Sequence, residues 1–137
     1  MATVLYAGLL ALLFVGLSAR VIQGRYRYRV ALGDGGQDDM QRRIRSHGNF
    51  VEYTPMFLIL LALVEYHGLP SLAVHGLGSL FLVGRLSHAY GVGVKERIGK
   101  GQLQHRIYRF SGMLCTLFAI SFAALILLAQ FTFDTME

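Results

Sequence analysis

The fold class this sequence predicts is all-α: an integral membrane bundle of four helices. Three observations predict it. Hydrophobic residues make up 54% of the 137 positions and charged residues 15%, a balance too apolar for a small water-soluble domain. The charges are also confined, since all 13 Lys and Arg fall in two windows, seven in Arg20–Arg45 and six in Arg85–Arg109. Four stretches are left almost without Asp, Glu, Lys or Arg: Ala2–Ala19, Tyr53–Val64, Tyr66–Gly84 and Phe110–Phe133. A helix needs roughly 20 apolar residues to cross a bilayer and about 17 are tolerated. The first, third and fourth stretches meet that length, and the second meets it only if residues 45–52 lie partly in the membrane. The chain is therefore read as one domain, 1–137, with spans at about 3–24, 39–66, 71–91 and 107–133.

Charge placement sets the expected topology. With four spans, the two basic windows fall on the same side, which the positive-inside rule assigns to the cytoplasm. Loops 25–45 and 92–106 are then cytoplasmic and both termini face outward. The net charge of +5 reads as topology plus attraction for anionic headgroups or an anionic ligand, not as a nucleic-acid surface. The single cysteine, Cys115, excludes an internal disulfide and packs as a small hydrophobe. No Lys or Arg precedes Arg20, so a cleavable signal is not expected.

In chain order, the first span ends at Arg20 and the run Arg25-Tyr26-Arg27-Tyr28-Arg29, in which rings and guanidiniums suit an interfacial helix end. Gly33-Asp34-Gly35-Gly36 breaks the helix. It has neither the Lys-Ser/Thr of a phosphate loop nor the spaced oxygens of a calcium loop. Asp38 and Asp39 open the second helix, where the macrodipole favours anions. Pro55 removes a backbone hydrogen bond within that helix and is expected to kink it. His67 to Ser71 is an outward turn. The third span carries Gly76, Gly78 and Gly84, residues that suit close helix contact. Gly91-Val92-Gly93 lacks the final glycine of a dinucleotide fingerprint and follows no strand. Lys95–His105 is a basic loop, and the fourth span opens with Arg106, Arg109 and Gly112.

The stretch that carries chemistry is 45–55. Arg45, Asn49 and Glu52 stand at i, i+4 and i+7, so one helix face presents a cation, an amide and an anion. Ionisable groups at membrane depth are costly and usually face a bundle interior or a wet cavity. Bundling four helices would collect with them Arg85 and His88 from the third span and Arg106 or Arg109 from the fourth. Such a site suits a small zwitterion with excess negative charge, its carboxylates in guanidinium forks and its amine on Glu52. A thiol on that ligand would be activated by a neighbouring guanidinium, because the thiolate is the nucleophile. Spacing alone leaves open a second use, a structural polar ladder between helices or subunits. Five histidines raise the question of haem, but only His75 lies well inside a span and no second histidine stands at its depth. No metal site is expected.

The pattern Arg45-x-x-x-Asn49-x-x-Glu52, followed by Tyr53 and Pro55, resembles the second-helix signature of the MAPEG family, membrane-associated proteins of eicosanoid and glutathione metabolism. Four spans, a chain near this length, Arg85 late in the third span and Arg109-Phe-Ser-Gly112 opening the fourth extend the resemblance over nearly the whole chain. The Gly-Asp-Gly-Gly loop and Gly84-Arg85-Leu86-Ser87-His88 look most like the small bacterial inner-membrane branch; His88 stands where eukaryotic members often carry tyrosine. The resemblance implies a homotrimer with glutathione bound between subunits near the cytoplasmic face, as co-substrate and with no other cofactor. It implies that Arg45, Asn49, Glu52, Tyr53, Arg85 and His88 hold glutathione, with Arg25 or Arg29 reaching over from a neighbouring subunit. Arg109 would stabilise the thiolate, and a lipophilic electrophile or lipid hydroperoxide would arrive from the bilayer.

Overall fold

The computed structural model describes residues 1–93 and 102–134, with side chains at 1–92 and 107–132. Four helices follow one another: α1 (Thr3–Tyr28), α2 (Asp38–Tyr66), α3 (Ser71–Gly93) and α4 (Gln102–Asp134). No strand occurs among the described residues. α2 and α4 enclose the charge-poor stretches Tyr53–Val64 and Phe110–Phe133, α1 takes up Ala2–Ala19 from Thr3 onward, and α3 takes up Tyr66–Gly84 from Ser71 onward. Much of the loop expected at 92–106 lies outside the described residues.

α1, α2 and the Ile107–Thr132 part of α4 are long and apolar enough to cross a membrane. α3 has 23 residues and so the length to cross, and carries His75, Arg85, His88 and several glycines. It is also the most enclosed helix, packing on α4 most extensively and on α2 and α1 besides. Large apolar side chains such as Leu12, Val15, Ile59, Phe118, Phe122 and Leu125 point outward. That inverts the soluble pattern and suits a chain whose solvent is lipid.

The helix boundaries follow from local chemistry. α1 stops where Arg29 takes a left-handed conformation, φ 53°, and Val30 N–H donates back to the Arg25 carbonyl at 3.1 Å. The turn after it uses positive φ at Gly33, Gly35 and Gly36, which glycine alone adopts without strain. Asp38 and Asp39 occupy the first turn of α2 as expected. Asp39 also accepts from Tyr28 Oη and Arg43 Nε, both at 2.9 Å, tying α2 to the end of α1. α2 runs as one helix through Pro55.

At the opposite end Glu65 accepts the backbone N–H groups of Ala2 and Thr3, capping α1 from the far end of α2. Between the ends, Tyr6, Leu10, Phe50, Phe57, Leu61, Val74, Phe81, Ala119 and Ala123 form the shared core. Phe57 and Phe81 stack face to face across α2 and α3, centroids 3.9 Å apart and planes 1° from parallel.

The glycines set how closely α3 approaches its neighbours. A Cβ on Gly84 would lie 2.9 Å from the Gly112 carbonyl, and one on Gly112 would lie 2.6 Å from the Gly84 carbonyl and the His88 nitrogen. α3 and α4 therefore touch backbone to backbone. Gly78 accommodates the ring of Tyr6, whereas a Cβ added at Gly76 would meet no atom of another element within 4 Å. The close contact expected of α3 glycines thus holds at Gly78 and Gly84 and not at Gly76.

Candidate functional site

Arg85 is the organising residue. It lies on α3, one position after the Gly84 contact, and is only 2% exposed. Its Nη1 donates to Asn49 Oδ1 of α2 at 2.7 Å. Its Nη2 stands 4.0 Å from the Met113 sulfur of α4, a weak acceptor. The Tyr53 and Phe81 rings flank it, 5.7 Å and 5.8 Å from Cζ to the ring centroids, within cation–π range. The Nε–H of Arg85 has no hydrogen-bond partner among the described residues, and no carboxylate there forms an ion pair with it.

A buried cation lacking a counter-charge is unfavourable by several kcal/mol. The amide and the two rings offset part of that, and the remaining demand is for an anion. The surroundings increase it. His88, one turn further along α3 and 7% exposed, lies within electrostatic reach of Arg85, Arg109 and Arg45. The backbone contact of Gly112 with His88 brings the start of α4, and so Arg109, to this point. His88 and Arg85 of α3 are thus buried together beside the start of α4.

The stripe predicted on α2 is divided. Asn49 is 8% exposed and turned towards α3, while Arg45 and Glu52 stand on the outer surface of the protomer, with no ion pair to either among the described residues. Tyr53 is half-buried against Arg85. The three residues are therefore not paired among themselves in a sealed helix contact. Arg109 is exposed at the start of α4, and the side chain of Arg106 lies outside the described ones. Arg25 and Arg29 are elsewhere in the protomer, at the end of α1; Arg25 Nη1 donates to the Ala31 carbonyl at 2.7 Å. Sequence reasoning missed Phe81 and Met113 as walls around Arg85. Their i−4 relation on α3 for Phe81, and the apolar type of both, gave no sign of a polar role. His75 has a different function: Tyr6 Oη contacts its Nδ1 at 3.1 Å, its carbonyl at 2.9 Å and Ser79 Oγ at 2.8 Å, joining α1 to α3.

A helical bundle with a lipid-type exterior and a partly uncompensated cationic site between α2, α3 and α4 defines a class, the polytopic membrane protein with a polar site set among its helices. Comparison with known proteins then gives the family. The MAPEG family pattern matches residues 3–129, and this chain belongs to that family. It is 42% identical over 118 residues to inner membrane protein YecN of Escherichia coli strain K12, a match covering 85% of this chain and 82% of that protein. The same figures hold for inner membrane protein YecN of E. coli O6:H1 strain CFT073.

Proposed function

We propose that the protein is a glutathione-dependent transferase or peroxidase of the bacterial inner membrane, working as a homotrimer with α3 as a fourth crossing. The observation that carries this reading is the buried Arg85 guanidinium, which among the described residues has an amide and two rings around it and no carboxylate paired with it. Glutathione has two carboxylates, one amine and one thiol. Its carboxylates answer the cations Arg45 and Arg85, and its amine answers Glu52. Asn49, Tyr53 and His88 complete the polar lining. Arg109 stabilises the thiolate, which bonds to an electrophilic carbon as the leaving group departs, or attacks the terminal oxygen of a lipid hydroperoxide, breaking the O–O bond to release the lipid alcohol and leave a glutathione sulfenic acid that a second glutathione converts to disulfide and water. Apolar outer surfaces on α2 and α4 give such substrates a route from the bilayer.

Calorimetry in detergent tests the binding step. Wild type is expected to bind glutathione, and Arg45→Ala to weaken binding about tenfold, a loss of about 1.4 kcal/mol. Heatless titration of wild type would remove the proposal. Arg45 is the suitable position because its exposure leaves the fold intact when it is truncated.

One observation favours a second reading. Glu52 and Arg45 are exposed on the protomer surface at or near membrane depth, and a second copy could cover them purely as architecture, as a scaffold or small-anion pathway. In that case Glu52→Ala dissociates the oligomer. In the enzymatic reading it leaves the oligomer whole and weakens ligand binding.

A further inference from the structure

The end of α1 carries a second basic feature, separate from the cluster around Arg85. Ile22, Arg25, Tyr26, Arg29, Val30 and Ala31 line an open groove of about 450 Å³. We propose that this groove seats the headgroup of an acidic phospholipid, with the phosphate on Arg25 and Arg29 and an acyl chain against Ile22.

Depth is the first argument. α1 has 26 residues, about 39 Å of helix at 1.5 Å per residue, against a hydrocarbon thickness of roughly 30 Å. Counting about 20 residues from Thr3 puts Ile22 at the edge of the acyl region. Arg25, Tyr26 and Arg29 then fall at headgroup level. Tyr26, 82% exposed, has the amphipathic ring found at that depth.

Charge is the second. Arg25 is held in place through Nη1 by the carbonyls of Ala31 and Val30, at 2.7 and 3.5 Å. Both acceptors are neutral, so its charge is oriented without being cancelled. Neither Arg25 nor Arg29 forms an ion pair among the described residues. The nearby carboxylates are otherwise engaged: Asp34 Oδ1 accepts from Gly36 N–H at 2.9 Å, and Asp39 binds Tyr28 and Arg43.

The third argument is that the groove has a built floor. Gly35, at φ 61°, lies so close to Val30 that a Cβ there would sit 2.4 Å from a Val30 methyl. The glycine turn, which has no phosphate-loop or calcium-loop chemistry of its own, folds under Val30 and fixes the floor. A groove with one anchored and one exposed cation, Arg25 and Arg29, and with apolar side chains beside them complements a molecule that is anionic at one end and apolar at the other.

Native mass spectrometry of the purified oligomer tests this, after equilibration with equal amounts of phosphatidylglycerol and phosphatidylcholine. Wild type is expected to retain phosphatidylglycerol at least fivefold over phosphatidylcholine. Arg29→Gln and the double variant Arg25→Gln/Arg29→Gln should lose that preference; the single variant alters an exposed side chain and keeps the fold. Arg27→Gln, whose guanidinium lies over Tyr28 outside the groove, should retain it. Equal retention of the two lipids by wild type, or an unchanged preference in Arg29→Gln, overturns the proposal. So does displacement of the lipid by equimolar inorganic phosphate, which would make a free anion the occupant. Loss of glutathione affinity in Arg29→Gln with lipid preference intact would instead assign the groove to a neighbouring copy's thiol site, and overturns it as well.

Discussion

Arg85 and Asn49 are one hydrogen-bonded unit. Asn49 Oδ1 at 2.7 Å, and more weakly the Asn49 backbone carbonyl at 3.4 Å, accept from a guanidinium that is otherwise flanked by rings and sulfur. Asn49→Leu keeps the volume and removes the Oδ1 acceptor, leaving a buried cation further from compensation. The expected cost is about 1.5–3 kcal/mol, the range for hydrogen bonds to charged groups, read as a lower unfolding temperature in detergent; an unchanged value would show the pair to be energetically idle. The i, i+4, i+7 spacing made the polar character of α2 legible in the sequence. It could not show that Asn49 turns inward while Arg45 and Glu52 face out, because the boundary between buried and exposed depends on which side α3 packs. Phe81 and Met113 were illegible for a different reason: an apolar side chain beside a cation has the same sequence signature as one in any core.

At the level of helices, the contact of α3 with α4 positions the chemistry. Gly84 and Gly112 meet where His88 and Arg109 are brought together, so anything that separates these helices also disperses the site. Gly112→Val adds side-chain bulk where a Cβ alone would lie 2.6 Å from backbone atoms. Overpacking of this kind typically costs 1–3 kcal/mol. The variant should unfold at lower temperature and bind glutathione less well, whereas Gly76→Ala, whose Cβ would meet no atom of another element within 4 Å, should match wild type in both. A Gly112→Val protein as stable as wild type would show that the helices have room to part. The three glycines look alike in the sequence. Only what stands opposite each one distinguishes them, and that is a property of the packed pair. The existence of the four helices, by contrast, was legible, because lipid imposes long charge-poor runs whatever packs against them.

For the molecule as a whole, the make-up of the outer faces sets the expected assembly. Most are apolar, but Arg45 and Glu52 interrupt them on α2, and a charge exposed to hydrocarbon is strongly unfavourable. The proposed homotrimer would resolve this by covering them. Glu52→Ala should leave the oligomer intact by light scattering while reducing glutathione affinity; dissociation into protomers would favour architecture over binding.

The central claim is that this cationic site binds glutathione and draws off its thiol proton. Titrating glutathione into the purified oligomer while following the ultraviolet thiolate band examines both at once. A saturable band in wild type, lost in Arg109→Gln although calorimetric binding persists, is the predicted result. Absence of the band in wild type under conditions where glutathione demonstrably binds would contradict thiolate activation, and absence of both would contradict the site itself.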